Sequence, residues 1–241
     1  MRAWLRQLLE RPARPLSTAQ QARLDAWRAL PPADLKRPLR ETRMVVVDVE
    51  STGLDVYRDE LIAIGAQRVE EARIQVGVAF DIVLHRAGHT DKENVLIHGI
   101  SPTDMRKGAP PADALLDFLE FVGKAPLVAY HAAFDRGMLG RALKRHLGVR
   151  LPNPWLDLAW LAPALFPKAV GVQKALDAWL DFFGLHVYLR HRAVADALAT
   201  AELLLILLHH ARGAGKDSFG GIAELARMEA ELFQASRLGG I

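Results

Sequence analysis

The 241-residue chain has no cysteine and no long uninterrupted hydrophobic run. Without cysteine there is no disulfide, no thiolate metal site and no cysteine nucleophile. The longest aliphatic run covers residues 203–208, far fewer than the roughly 20 residues that a helix needs to cross a bilayer. The first residues also show no apolar segment followed by a cleavage site. The sequence therefore predicts a cytoplasmic protein with no membrane partner.

Acidic residues are scarce in the N-terminal part of the chain, although the net charge of the whole is only +3. Residues 1–43 contain ten Lys and Arg but four Asp and Glu. Such a segment predicts a polyanionic partner, but a solvated helix surface or an organellar transit peptide has the same composition. Two helices are expected here. The second has the capping-box pair Ser17 and Gln20, followed by Leu24, Trp27 and Leu30 at helical intervals.

A run of β-branched residues that ends in two carboxylates is the most informative stretch. Residues 44–49 predict a buried strand, and Asp48 and Glu50 share one of its faces because successive strand residues alternate. Neighbouring carboxylates repel each other, and a divalent metal ion is the simplest partner that would neutralise them. The alternative is a turn-capping Asp beside an exposed Glu. The chain turns at residues 51–53, where Gly53 is free to adopt a positive φ.

Two further carboxylates occur on apolar faces of predicted helices. Asp135 lies in line with Met138, and Asp196 lies in line with Ala199 and Leu203. A buried carboxylate needs a partner, and each of these is near the start of its helix, where negative charge is best tolerated. The partner is either a shared metal ion or backbone donors of the same helix.

The remaining hydrophobic pattern predicts an α/β protein with a mixed sheet. We expect an N-terminal helical extension (1–42), a central domain (43–213) and a C-terminal linker and helix (214–241). After the first strand, the pattern predicts strands at 61–66, 74–84 and 127–130, helices at 112–122, 134–147, 158–165, 172–183 and 192–212, a Gly-rich linker at 213–221 and a last helix at 222–233. A short helix is expected after Ser101, and Asp157 is expected to cap the helix that follows it.

The order of these motifs resembles the DnaQ-like (DEDDh) family of 3′→5′ exonucleases. The resemblance rests on Asp48–Leu54, His131–Asp135 and His191–Asp196, which match its three exonuclease motifs in order. Residues 97–100 also look like a loop of that family. The resemblance implies a ribonuclease H-like fold, with a mixed five-stranded sheet flanked by helices, over about residues 43–212.

The resemblance also implies a two-metal phosphodiesterase site. Two Mg²⁺ or Mn²⁺ ions would be held by four carboxylates, and His191, on the loop or first turn before its helix, would be the general base. The substrate would be nucleic acid with a free 3′ end, and the products nucleoside 5′-monophosphates. The implied metal ligands are Asp48, Glu50, Asp135 and Asp196; the implied substrate contacts are Ser51, Thr52, Gly53, Leu54 and His98.

Some residues depart from the family pattern. Ala132 stands where many members have Asn, Ser51 replaces the commoner Thr, and no clear clamp-binding motif follows the domain. Single-stranded DNA is the favoured substrate. The alternatives are an exoribonuclease or short-oligonucleotide hydrolase of the same fold, or a mainly scaffolding polymerase-associated subunit that contacts a protein partner through its terminal helices.

Overall fold

The computed structural model describes residues 14–86, 99–169, 175–187 and 191–238. The first predicted N-terminal helix and His98 lie outside these residues. Secondary structure within them follows the predicted order closely, with differences at a few boundaries.

Within the described ranges, five strands form one mixed sheet, in agreement with the predicted fold. The strands are β1 (Met44–Ser51), β2 (Leu61–Glu70), β3 (Arg73–Val83), β4 (Leu127–Ala129) and β5 (Trp155–Asp157). Their order in the sheet is β3-β2-β1-β4-β5. The first three form an antiparallel meander, whereas β4 runs parallel to both β1 and β5. The three-residue β5 was not identified from the sequence, because so short a segment shows no clear alternation.

Helices flank both faces of this sheet. They are α1 (Thr18–Ala29), α2 (Pro102–Lys107), α3 (Pro111–Val122), α4 (Ala132–Leu147), α5 (Leu158–Leu165), α6 (Leu176–Phe183), α7 (Ala193–Gly213) and α8 (Phe219–Leu238), with a 3₁₀ turn at Leu39–Glu41. The left-handed glycines Gly148 and Gly184 end α4 and α6, so both helices stop at the predicted residues 147 and 183.

The predicted Gly-rich linker is shorter than expected. Gly213 is still part of α7, and Gly220 and Gly221 are already inside α8. The prediction gave too much weight to the low helix propensity of glycine, which tertiary packing overrides here. Phe219 and Ile222 are buried in the same core as α5 and α7, so the C-terminal helix packs onto the sheet's own core.

Successive side chains of β1 point to opposite faces of the sheet and so contribute to two separate hydrophobic cores. Val45, Val47 and Val49 face α1, α3 and α4. Met44 and Val46 face the other core, built with α5, α6, α7 and α8. Because strand residues alternate, Asp48 and Glu50 continue the face of Met44 and Val46 and therefore point toward the side of α7.

Helix α7 is long and apolar enough to be a candidate membrane span by composition. It instead lies across β1 and β2, with Ala199, Leu203 and Leu207 buried in the second core. Its apolarity is explained by packing on the sheet.

The N-terminal helix α1 is held against α3. The Ser17–Gln20 capping box is present, and Leu24 and Trp27 are buried in the first core, whereas Leu30 at the helix end is 44% exposed. Arg23 pairs with two carboxylates of α3, Asp117 at 2.5 Å and Glu120 at 2.7 Å. Part of the basic character of this segment therefore neutralises the protein's own acidic surface.

Candidate functional site

Three of the predicted carboxylates converge where β1 ends and α7 begins. One oxygen from each of Asp48, Glu50 and Asp196 lies within 4.8 Å of the other two. Asp196 is buried, whereas Asp48 and Glu50 are half-buried and so remain accessible from solvent. Hard carboxylate oxygens at this spacing are the donor set that Mg²⁺ and Mn²⁺ prefer, so these residues fit a divalent ion.

A glycine that the sequence analysis did not single out allows this convergence. Gly65 is the β2 partner of Asp48. A Cβ at Gly65 would overlap the backbone of Ala193 and Val194, the first residues of α7. The bare glycine lets the helix start touch the sheet, which brings Asp196 to Asp48. An isolated glycine inside a strand pattern was the available signal, since it often marks a close backbone approach.

His191 lies in the turn before α7, at the position the sequence predicted. Its backbone N–H donates to Asp196 Oδ2 at 2.9 Å, and its φ of 62° is left-handed. The residue is exposed. The hydrogen bond ties the start of the helix to the carboxylate cluster, and the exposure leaves the imidazole accessible to water.

Asp135 does not join the group of three, although the sequence led us to expect four converging carboxylates. It is buried near the start of α4, and its carboxylate accepts backbone hydrogen bonds from its own N–H and from Val49. Burial raises its pKa well above the ordinary value, and the charges of Asp157 and Glu50 raise it further. Backbone donors are thus present for Asp135, as in the alternative in which such donors, and not a metal ion, satisfy the buried carboxylate. The charge of Glu50 also acts on Asp135 and links it electrostatically to the cluster.

Asp157 is a second acidic residue beside Asp135. It caps α5, as predicted, by accepting the Ala159 N–H at 3.0 Å, and it also accepts the His131 N–H at 2.9 Å. Burial raises its pKa. Since β4 and β5 are parallel neighbours, their carboxyl ends lie side by side, and Asp157 there holds the left-handed His131 that opens α4. The sequence showed the cap but not this second contact.

The turn after Glu50 is fixed by a network around Asp59. The Thr52 hydroxyl donates to Asp59 Oδ1 at 2.9 Å, and the Asp55 N–H donates to Oδ2 at 2.8 Å. Gly53 does not use the positive φ that is open to it; a Cβ there would lie 2.6 Å from Asp59 Oδ2. A larger residue at this position would therefore displace the Asp59 carboxylate that holds the turn.

The other predicted substrate contacts lie on this turn or outside the described residues. Ser51 is half-buried and its hydroxyl donates to the Gly53 carbonyl at 2.6 Å, so that group is engaged inside the turn. Leu54 is 88% exposed, next to the end of β1. An apolar side chain this exposed on a fixed turn is available for contact with a ligand.

Comparisons with known proteins agree with this architecture. An exonuclease family model, RNase_T, matches residues 45–204. The chain is 31% identical over 200 residues to a DNA polymerase III subunit epsilon-like protein of Rhodobacter capsulatus, covering 82% of this chain and 28% of that protein. It is 34% identical over 181 residues to the PolC-type DNA polymerase III of Bacillus subtilis, covering 74% of this chain and 12% of that protein. The chain thus spans well under a third of the length of these relatives.

Solved structures show the same fold at low sequence identity. Exonuclease X in complex with 5′ overhanging duplex DNA matches with a TM-score of 0.59 at 20% identity, over 76% of this chain and 99% of that one. Escherichia coli exonuclease I in complex with a dT13 oligonucleotide matches with a TM-score of 0.61 at 18% identity, over 72% of this chain and 42% of that one. With the family model covering most of the chain and all three motifs, the protein belongs to the DnaQ-like exonuclease family.

Proposed function

We propose that this protein is a divalent-metal-dependent 3′→5′ exonuclease that releases nucleoside 5′-monophosphates from single-stranded DNA. The observation that carries the proposal is the convergence of Asp48, Glu50 and Asp196 within 4.8 Å, at the junction of a strand and a helix that both belong to exonuclease motifs. Three carboxylates this close repel one another, and a bound cation would offset that repulsion.

The metal ligands of the proposal are Asp48, Glu50 and Asp196, with Asp135 contributing next to Glu50. When bound, two Mg²⁺ or Mn²⁺ ions would activate water and stabilise the departing oxygen. The protein's own contribution is to hold these carboxylates in place. Gly65 sets how closely α7 approaches the sheet, and the His191 N–H fixes the orientation of Asp196.

His191 is the general base of the proposal. An imidazole ring nitrogen can accept the proton of the attacking water. The water oxygen forms the new bond to phosphorus, the bond from phosphorus to the 3′ oxygen breaks, and the 5′-phosphate stays on the released nucleotide. Exposure of His191 beside the cluster supports this role.

The terminal nucleotide would be received by the turn at residues 51–54, where exposed Leu54 would contact its base or sugar; the proposal also keeps His98 as a contact. Single-stranded DNA is favoured because a structural neighbour, exonuclease I, is seen with a dT13 oligonucleotide. RNA stays as the alternative substrate, and the assay below compares the two.

The domain division follows from the same reasoning. We propose that residues 43–213 form the nuclease unit and that residues 1–42 and 214–241 are extensions that support it, with α1 and α8 packed on opposite faces of the sheet. A cytoplasmic location and a polymerase partner are also proposed, the latter because relatives include an epsilon-like polymerase subunit.

The test uses 5′-labelled single-stranded DNA and RNA of one sequence, each with a free 3′ end or with phosphorothioate linkages at the 3′ end. Mn²⁺ should give a ladder that shortens from the 3′ end of the free DNA. The blocked DNA should stay intact, and EDTA should stop the reaction. Cleavage that begins at the 5′ end or inside the strand, or that persists in EDTA, would contradict the proposal. Faster loss of RNA would establish the alternative substrate.

A further inference from the structure

A groove of about 700 Å³ lies on the side of the sheet where Val45, Val47 and Val49 are packed. It lies between α4, the ends of β2 and β3 and the segment that leads into α1. Its floor is apolar and includes Leu61, Leu84 and Met138. Asp48 and Glu50 project from the opposite face of β1, where they meet Asp196 of α7, so the groove is separate from the carboxylate cluster.

The charged side chains of this groove are mostly basic. Among the residues that the structure describes, Arg14, Arg86, Arg141 and Arg145 line it, against one acidic residue, Glu60. Glu60 is already shared, because its carboxylate pairs with Arg86 and with Arg145 at 3.0 Å each. One Glu cannot neutralise four guanidinium groups, so the described lining of the groove carries a net positive charge.

Arg86 retains donor capacity within the groove. Its Nη1 atom is buried and has no hydrogen-bond partner among the residues that the structure describes. A buried guanidinium donor without a partner costs free energy, and a ligand that brings an acceptor oxygen removes that cost. The planar guanidinium is also the group best suited to phosphate oxygens.

The groove is connected directly to the turn that follows Glu50. The Thr52 N–H donates to the Glu60 carbonyl at 3.0 Å, and the Glu60 N–H donates to the Thr52 hydroxyl at 2.9 Å. Arg141 donates to the Tyr57 carbonyl at 2.5 Å. The Tyr57 side chain is 90% exposed beside this arginine, which places an accessible aromatic ring near the groove.

We propose that this groove holds the phosphodiester backbone of the single strand upstream of the nucleotide being removed, with Tyr57 available for base stacking. A basic groove with an adjacent aromatic ring is the combination that binds single-stranded nucleic acid without sequence preference. The proposal rests on the proposed nuclease function for its substrate. It adds a binding surface of named residues that would favour long strands over short ones.

The test compares two double variants that remove the same charge. Arg141→Gln with Arg145→Gln changes the groove; Arg212→Gln with Arg227→Gln changes exposed arginines of α7 and α8 on the other face. Binding of a fluorescein-labelled 15-nucleotide single-stranded DNA is measured in EDTA at several salt concentrations. Each lost phosphate contact lowers the slope of log K against log salt by about 0.7. Circular dichroism melting of both variants confirms that they fold.

In the groove variant, the slope of log K against log salt should fall by roughly 1.4, because two arginines are lost. In the control variant it should fall much less. In Mn²⁺, the ratio of kcat/KM for the 15-mer to kcat/KM for a trinucleotide should fall in the groove variant only. Equal slopes and equal ratios in the two variants would overturn the proposal, and would favour a protein partner in the groove. If the groove variant loses slope and the control variant does not, but the wild-type protein cleaves nothing, the groove is supported and the nuclease function is contradicted.

Discussion

Gly65 faces Asp48 across the β1–β2 pair, and the start of α7 occupies the space that a side chain at Gly65 would need. Replacement by Ala would push Ala193 and Val194 away from the sheet. We expect Gly65→Ala to destabilise the fold by ~1–3 kcal/mol, the usual range for overpacking, and to lower activity because Asp196 moves away from Asp48.

Gly77 provides the matched control for this substitution. It also lies inside a strand, β3, but a Cβ there would meet open space. Gly77→Ala should be neutral or slightly stabilising, since glycine in a strand is less stable than alanine by roughly 0.5–1 kcal/mol. Urea unfolding and nuclease assays of both variants test the point. Equal effects of the two substitutions would show that contact with α7 is unimportant.

Asp48→Asn removes one charge from the cluster. Without metal, the repulsion among the three carboxylates falls, so the variant should unfold at the same or a higher temperature than the wild type while losing hydrolysis. Asp181→Asn, at an exposed helix position, is the control and should keep both properties. Scanning calorimetry in EDTA provides the comparison. An unfolded Asp48 variant, or one with normal turnover, would count against the metal role.

His191→Ala should lower turnover by roughly 10²–10⁴, the range of a general-base contribution. Asn serves as the control for the backbone, because it tolerates the left-handed φ of 62° but cannot take a proton at neutral pH. Both variants should lose rate alike and still bind Mn²⁺. Near-normal turnover in either variant would remove His191 from the role of base.

Leu24 and Leu30 test whether α1 is an integral part of the fold. Leu24 is 1% exposed and Leu30 is 44% exposed at the end of the same helix. Leu24→Ala should therefore destabilise by about 2–5 kcal/mol, and Leu30→Ala by much less. Chemical denaturation measures both. Similar small losses would mean that α1 detaches from α3 in solution, and its Arg23 would then be available to bind a polyanion.

The half-buried His146, which borders the groove, should make the free energy of unfolding depend on pH. Burial lowers its pKa, with help from the positive charges of Arg145 and Arg14 and against the charge of Glu60. His146 therefore binds a proton more readily in the unfolded chain than in the folded protein. Stability falls as the pH drops through about 6.5, the pKa of a histidine in the unfolded chain. His146→Gln should show a weaker loss between about pH 7 and pH 5. Unchanged pH dependence in the variant would contradict this assignment.

The sequence predicted the elements that carry strong local signals. The β-branched run of β1, the Ser17–Gln20 capping box and the end of α4 at residue 147 each appear where expected, because period, cap and helix end are set by local sequence. The alternation along β1 also placed Asp48 and Glu50 on one face.

What the sequence did not predict depends on contacts between distant segments. The role of Gly65 requires knowledge that α7 crosses β2 at that residue. The separation of Asp135 from the other three carboxylates depends on how α4 packs against β1, and the second contact of Asp157 depends on β5 lying beside β4. Pattern and spacing do not contain this information.

Metal binding by the carboxylate cluster is the central claim, and titration calorimetry with Mn²⁺ tests it most directly. The wild-type protein should bind Mn²⁺ saturably, and Asp48→Asn should weaken that binding strongly, whereas Asp181→Asn should match the wild type. An absence of saturable binding to the wild type, or equal binding to the Asp48 variant, would contradict the account.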